Sequence, residues 1–174
     1  VDDFEAGYKT TKYFFNLGCR TVALVTTIDH SSVGRLRVEG YIKALKEVGI
    51  PFDDKLILRV GKENDLEVLL TFLLNYKPID GIMALDEITA VEVLRLIKAR
   101  GYRVPEDISV VGFTNGKLSR YVSPALTAVS QHGTYIGETA AKVLIERMES
   151  KEYMECSTKV IKTSLIVRDS TKRV

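Results

Sequence analysis

The sequence predicts an α/β protein with an open, mostly parallel sheet that carries helices on both faces. Short apolar runs rich in β-branched residues alternate along the chain with segments in which apolar residues recur every three or four positions. The first such run, TVALVT at 21–26, is continuously apolar, which is typical of a strand buried on both faces. Short connections between alternating strands and helices favour parallel neighbours in one sheet.

The elements follow in order along the chain. A helix is predicted over 4–17 and ends at Gly18, and a second helix over 34–48 follows the first strand and ends at Gly49. The other predicted strands are 56–60, 81–85, 108–113 and 126–130, and the other predicted helices are 65–76, 87–100 and 133–149. An extended stretch over 159–168 closes the chain.

The carboxyl ends of the strands are where a ligand is expected, because open parallel sheets bind ligands there. These ends are Thr27 to Arg37, Leu85 to Glu87, Phe113 to Lys117, and Gln131-His132.

Composition excludes several classes of function. Lysine and arginine number 25 against 23 acidic residues, and no basic run is longer than Lys172-Arg173, so we expect no DNA binding by this chain itself. No stretch approaches the roughly 18 consecutive apolar residues of a membrane helix. The acidic segment Val1 to Glu5 differs from a signal peptide and predicts a start within a longer protein. Cys19 and Cys156 suit a reducing cytoplasm, although two cysteines leave a disulfide open.

Motifs of enzyme chemistry are absent from the sequence. It has no phosphate-binding loop, no dinucleotide fingerprint, no nucleophile elbow and no zinc-protease motif. His30, in Asp29-His30-Ser31-Ser32, is better explained as a polar loop residue or a ligand contact, since catalytic triads join positions distant in sequence. We therefore expect no enzyme activity, no cofactor and no metal site.

Four segments, in order and covering nearly the whole chain, resemble the LacI/GalR family of bacterial transcription regulators. The similarity is strongest where VPEDISVVGF is followed by PALTAVSQ. The segments are Gly7 with GCRTVALV at 18–25, RLRVEGY at 35–41, DGIMALD at 80–86, and Val104–Phe113 with Pro124–Gln131.

This resemblance implies a type I periplasmic-binding-protein-like fold, with two Rossmann-like subdomains that close on a ligand behind a helix-turn-helix module. Residues 1–131 and 163–174 would then form the C-terminal subdomain, while 132–162 would belong to an N-terminal subdomain absent from this chain, as is the DNA-binding module. An apolar helix face should therefore be exposed, rearranged or buried in a contact; its residues are Ile136, Ala140, Val143, Leu144 and Met148.

The resemblance also implies effector contacts. Arg37 matches the family arginine that reaches the effector, and the alternative is a surface or capping arginine. Asp86 matches a family acid at a helix start, where an N-cap role is the favoured alternative. Gln131 matches the position where the chain crosses between subdomains, and there it would either contact the ligand or line the hinge. His30 would lie near the mouth of the site.

Phe113-Thr114-Asn115 departs from the family's usual aromatic-Asp-Asp. Thr114 retains a hydroxyl without the charge of the family acid, and Phe113 is either a core residue or a platform for the ligand. Loss of that carboxylate beside Arg37 predicts a more cationic pocket, suited to an acidic or phosphorylated ligand.

The implied function is that of the effector-binding and dimerising part of a regulator. The effector would be a sugar or a neutral or acidic sugar derivative, and it would control DNA binding through the missing module. The dimer-interface candidates, each of which is alternatively a core residue, are Ile88, Val91, Tyr121 and Val122. A periplasmic sugar-binding protein of the same fold is the first rival, and an enzyme of flavodoxin-like or Rossmann type is the second.

Overall fold

The computed structural model describes residues 1–61, 65–150 and 155–172, and it contains a six-stranded sheet in the order β2-β1-β3-β4-β5-β6. Neighbouring strands are parallel from β2 to β5, whereas β6 runs antiparallel to β5. The predicted mostly parallel sheet is therefore confirmed. The strands are β1 Val22–Thr26, β2 Ile57–Arg59, β3 Gly81–Ala84, β4 Ser109–Phe113, β5 Thr127–Ser130 and β6 Ser164–Ile166.

Six α-helices accompany these strands in the described part of the chain: α1 Asp3–Asn16, α2 Ser32–Glu47, α3 Leu66–Tyr76, α4 Glu87–Ala99, α5 Leu118–Tyr121 and α6 Gly133–Glu149. The sheet separates two hydrophobic layers. Side chains of α3 and α4 pack on one face with Ala23 and Val25, and side chains of α1 and α2 pack on the other with Val22 and Leu24. This division of β1 explains its continuous apolar sequence, because alternate residues of a strand point to opposite faces.

Glycines allow α1 and α2 to pack closely. A Cβ at Gly40 would meet the backbone of α1, and a Cβ at Gly7 would meet the backbone of Arg37. Both glycines lie in the segments that resemble the family. The approach matters for the site, because it brings the start of α1 against the first turns of α2 and so joins Asp3 to Arg37.

Three local differences separate the structure from the sequence prediction. Strand β2 is shorter than 56–60, because Asp53 caps a 3-10 turn at Asp54–Leu56 through the Lys55 amide. Helix α5 was not predicted, since four residues are too few to show a helical period. Only Ser164–Ile166 of the extended stretch 159–168 pairs with the sheet.

Helix α6 and the segment 155–162, together called the arm here, stand off the body of the protein. No residue of α6 is buried, and no residue in 155–162 is buried either. Leu144 and Met148 are 58% and 76% exposed. Ala140 is exposed as well, whereas Ile136 and Val143 are half-buried, so the expected exposure of this apolar helix face is observed at three of its five residues. A groove of about 370 Å³ between α6 and the segment is lined by Ile136, Val143, Leu144 and Ile161 among others.

No helix in the described ranges is long and apolar enough to cross a membrane.

Candidate functional site

The carboxyl ends of β1, β3, β4 and β5 meet along one edge of the sheet, called the carboxyl edge here. Parallel pairing in register sets them level: Val25 lies opposite Ala84, Ala84 opposite Gly112, and Phe113 opposite Val129. The predicted site residues of the loops therefore lie on one side of the molecule, as expected for a parallel sheet. His30 and Thr114 are exposed there, while Asp86 and Gln131 are half-buried.

Arg37 is buried beneath this edge, with only 3% of the residue exposed. Its Nε and Nη2 atoms donate to Asp3 Oδ1 at 2.9 and 2.7 Å, and its Nη1 atom donates to the Leu85 carbonyl oxygen at 2.8 Å. The guanidinium lies over the Phe113 ring, 4.2 Å from the ring centroid. In this structure Arg37 joins α1, α2 and the ends of β3 and β4, and three of its five N–H donors are used within the chain.

Asp3 is the charged residue that sequence reasoning missed. Its side chain is 8% exposed and forms an ion pair with Arg37 at 2.7 Å. Burial lowers the pKa of the Arg37 guanidinium, while the hydrogen bond and charge of Asp3 oppose that shift. The expected cationic pocket was wrong in its premise, because a carboxylate from another helix neutralises Arg37. Only the packing of α1 on α2 reveals this partner, 34 positions away in sequence.

Asp86 is the N-cap of α4. Its Oδ1 atom accepts the Thr89 amide at 2.8 Å, and its Oδ2 atom accepts the hydroxyls of Thr89 at 2.6 Å and Thr27 at 3.0 Å. The capping role that sequence reasoning favoured is therefore present. The bond from Thr27 adds a link between the ends of β1 and β3, so that Asp86 also fixes the middle of the carboxyl edge.

Phe113 and Thr114, although adjacent, have opposite environments. Phe113 is fully buried and packs in the core beneath Arg37, so its ring does not form an exposed platform. Thr114 is exposed and has a φ of 75°, a left-handed conformation that β-branched residues rarely adopt. Its amide donates to the Val129 carbonyl oxygen, which holds the turn at the end of β4. Thr114 is the exposed polar residue of this strand end.

The chain leaves the sheet for the arm at His132, which has a left-handed φ of 54°. The His132 Nε2 atom lies 2.9 Å from the Ser164 hydroxyl, so the outgoing and returning segments are tied together. Gln131 is half-buried immediately before this crossing. Among the described residues, no group of three or more His, Cys, Asp and Glu side chains is arranged to hold a metal ion.

The dimer candidates fall into two classes. Ile88 and Tyr121 are 70% and 81% exposed, whereas Val91 and Val122 are half-buried and pack against the hydrophobic layer of α3 and α4. Val91 and Val122 therefore contribute to the hydrophobic core, which is the alternative that the sequence left open for them. Sequence reasoning did not select α3, whose exposed apolar stripe has helical spacing: Val68, Phe72 and Tyr76.

Comparisons with known proteins identify this architecture. The family model described as a periplasmic binding protein-like domain matches residues 11–171. The chain is 29% identical over 173 residues to the HTH-type transcriptional repressor PurR of Vibrio vulnificus (strain CMCP6), and 29% identical over 172 residues to the HTH-type transcriptional regulator CelR of Thermobifida fusca. These alignments cover 98% of the chain but 51% and 50% of the relatives, so the chain spans about half the length of the curated relatives it matches.

Solved structures support the same assignment. A CelR–cellobiose complex superposes with a TM-score of 0.87 at 28% identity, covering 98% of this chain and 52% of that one. A transcription regulator from Lactobacillus plantarum superposes with a TM-score of 0.91 at 26% identity, covering 100% of this chain and 67% of that one. The proteins that it resembles are transcription regulators, some of them of the LacI family. The chain itself belongs to the periplasmic binding protein-like domain family.

Proposed function

We propose that this chain is the C-terminal effector-binding and dimerising part of a cytoplasmic regulator, and that the full-length protein binds operator DNA under effector control. The observation that carries the proposal is the carboxyl edge, where polar residues from four parallel strand ends surround the buried Arg37–Asp3 pair. The relatives are transcription regulators rather than enzymes, which favours binding over catalysis. The periplasmic sugar-binding alternative has no comparable support among them.

A neutral, hydroxyl-rich effector is favoured over an acidic one. Arg37 is paired with Asp3, the Asp86 carboxylate lies at the same edge, and Asp29 forms an ion pair with Arg59 at 3.6 Å. The unpaired cation that an acidic or phosphorylated effector would need is therefore missing at Arg37. Hydroxyl and amide groups remain in exposed or half-buried positions at Thr27, Thr114 and Gln131, and these suit a sugar. One similar regulator, CelR, was solved with cellobiose.

Thermal-shift and calorimetric titration of the full-length regulator would test this proposal. The panel should contain neutral mono- and disaccharides, sugar phosphates, sugar acids and purines. We expect a neutral sugar to bind and Thr114→Val to weaken it by roughly 5- to 10-fold, the loss expected for one hydrogen bond. Ser123→Ala, which removes an exposed hydroxyl at the opposite edge of the sheet, is the matched control and should bind as wild type.

The outcomes separate the alternatives. Binding of a sugar phosphate or sugar acid, with no neutral sugar, would contradict the neutral effector and restore the charge-based expectation. If Thr114→Val leaves the sugar affinity unchanged, the carboxyl end of β4 is not part of the effector site. Absence of operator binding by the full-length protein, with sugar binding intact, would favour the periplasmic alternative.

We propose that the arm packs on the absent N-terminal subdomain and that dimerisation uses Ile88 and Tyr121. The domain boundaries 132–162 and 163–174 are part of this proposal, and their residues 151–154 and 173–174 lie outside the described residues. The exposed apolar face of α6 supports the first part, because contiguous exposed apolar surface marks an interaction site. The exposure of Ile88 and Tyr121 on neighbouring helices supports the second.

A further inference from the structure

Glu87, the first residue of α4, has a half-buried carboxylate that none of the proposed effector contacts uses. Its Oε1 atom accepts the Ser119 amide at 2.9 Å and the Ser119 hydroxyl at 2.5 Å. Ser119 is fully buried, and it belongs to α5, the helix that carries exposed Leu118 and Tyr121. Hydrogen bonds to a carboxylate are stronger than those between neutral groups. The side chain of Glu87 thus fixes a helix 32 positions later in the sequence.

The loop before α5 also folds against this carboxylate. A Cβ on Gly116 would meet the carboxylate atoms of Glu87, so a larger residue at this position would push that side chain aside. The Ser119 hydroxyl lies 3.3 Å from the Thr114 carbonyl oxygen. Gly116 and Ser119 therefore lie against the Glu87 carboxylate, and Thr114 is joined to it through Ser119. The loop contains the exposed Thr114 of the candidate site, and α5 contains the candidate dimer residue Tyr121.

We propose that Glu87 is a positioning residue that holds residues 114–121, the clamped segment, as one cooperative unit. A ligand that orders Thr114 and a protein partner that orders Tyr121 then act on the same local opening equilibrium. By linkage, each strengthens the binding of the other by the same factor. The assignment of ligand and partner rests on the proposed function, whereas the cooperative unit rests only on the contacts of Glu87.

Electrostatics at a helix start offer a different role for Glu87, because a carboxylate in the first turn of α4 also interacts favourably with the helix dipole. Glu87→Gln separates the two roles. A glutamine carbonyl still accepts from the Ser119 amide and hydroxyl but carries no charge. A clamp made by hydrogen bonds survives this substitution, and a purely charge-based contribution does not.

Native-state amide hydrogen exchange of this chain, followed by NMR, tests the clamp without an effector. The informative amides are those of Thr114, Ser119, Val122 and Leu126, which donate to Val129, Glu87, Leu118 and Ser119 respectively. We expect Glu87→Ala to accelerate all four by a common factor of roughly 10- to 100-fold, as for loss of hydrogen bonds to a charged group. Glu87→Gln keeps the acceptor but loses the charge that strengthens both bonds, so it should accelerate the four amides by only roughly 3- to 10-fold. The Val60 amide, bonded to Thr26 in the sheet, should be unaffected.

Two further variants keep the test decisive if Glu87→Ala does not fold. Gly116→Ala keeps the Glu87 side chain but forces its carboxylate to shift, and it should accelerate the same four amides. Ser119→Ala removes only the hydroxyl donor and should give a smaller common acceleration. Glu92→Ala, at an exposed position one turn and a half along α4, is the matched control and should leave all four at wild-type rates.

Acceleration of the Ser119 amide alone would overturn the cooperative unit, and equal acceleration of Val60 would show that Glu87 stabilises the whole fold instead. If Glu87→Gln accelerates amide exchange as much as Glu87→Ala does, the effect comes from the charge of Glu87. These results leave the proposed function standing. Failure of the full-length regulator to bind a sugar or to dimerise would refute the proposed function while leaving the exchange results intact.

Discussion

At the scale of single residues, Arg37 and Asp3 form a buried ion pair in which each charge compensates the other. Both side chains are less than one-tenth exposed, with values of 4% and 8%. Removing one partner of such a pair leaves the other charge buried without compensation, and this loss is larger than the net benefit of the pair itself. The pair thus makes the buried arginine tolerable and also makes the fold sensitive to either substitution.

Asp3→Ala should lower the free energy of unfolding by about 3 kcal/mol, because it leaves the Arg37 guanidinium buried with only the Leu85 carbonyl oxygen and the Phe113 ring as partners. Denaturant unfolding followed by circular dichroism measures this loss. Asp2→Ala is the matched control, since Asp2 has the same charge but makes no capping bond to α1, and it should change stability by less than about 0.5 kcal/mol. Equal effects would show that Asp3 acts only through the helix start.

The two cysteines should differ sharply in reactivity. Burial raises the pKa of the Cys19 thiol to about 11, and only 6% of the residue is exposed, whereas Cys156 lies exposed on the arm. Because the thiolate is the reactive form, iodoacetamide at pH 8 should label Cys156 rapidly and leave Cys19 unmodified in the folded chain. Mass spectrometry of the labelled peptides measures both, and comparable labelling in the native state would contradict the burial of Cys19.

At the scale of elements, the side chains that cap the helices help to hold the carboxyl edge together. Helices α2, α3 and α4 have Ser31, Asp65 and Asp86 as their N-caps, and each of these side chains accepts a backbone amide of its own helix. Asp86 differs from the other two because it also accepts the hydroxyl of Thr27 from the end of β1. One side chain therefore begins a helix and joins two strand ends.

Asp86→Ala should destabilise the chain by about 2 kcal/mol, more than the roughly 1 kcal/mol expected for loss of a helix cap alone. Asp65→Ala, which removes an exposed cap of α3, supplies that reference value in the same protein. The two losses can be compared by chemical denaturation. Equal losses would show that the bond from Thr27 contributes nothing. Thr27→Val, which deletes only that bond, should reproduce part of the difference, and the remainder belongs to the bond from the Thr89 hydroxyl.

At the scale of the whole molecule, the arm is the part whose apolar surface is left uncovered. The body buries its apolar residues on both faces of the sheet, while α6 leaves its own apolar face uncovered. The similar regulators are about twice as long as this chain. We propose that the part of these regulators that this chain does not match covers the arm, and stability should then depend on the arm only when that part is present.

Leu144→Asp tests whether the apolar face of α6 is covered in the full-length regulator. In this chain the side chain is 58% exposed, so the free energy of unfolding should change by less than about 0.5 kcal/mol. In the full-length regulator the same change should cost about 2 kcal/mol or more, because it removes apolar contacts and buries a charge. Lys142→Asp, at an exposed position on the opposite side of α6, should be tolerated in both. Tolerance of Leu144→Asp in the full-length protein would show that the arm does not pack as proposed.

Local information in the sequence determined the order and type of the principal elements. Buried strands are continuously apolar, helices repeat every three or four residues, and Gly18, Gly49 and Gly101 adopt the positive φ that ends a helix. The capping role of Asp86 followed from its place before an apolar helix. The register of parallel strands then brought the predicted loops to one edge, because strand direction follows from the strand–helix alternation.

Contacts between residues far apart in sequence were decided only by the tertiary structure. Asp3 meets Arg37 because glycines let α1 and α2 approach, and Glu87 meets Ser119 because α5 folds back over the start of α4. Neither pair has a spacing that a helical or strand period could reveal. The sequence alone thus determined where polar groups gather, whereas the packing of helices decided which charges are neutralised and which groups remain free for an effector. Partner choice in a folded chain depends on distance in space, and local sequence patterns do not encode that distance.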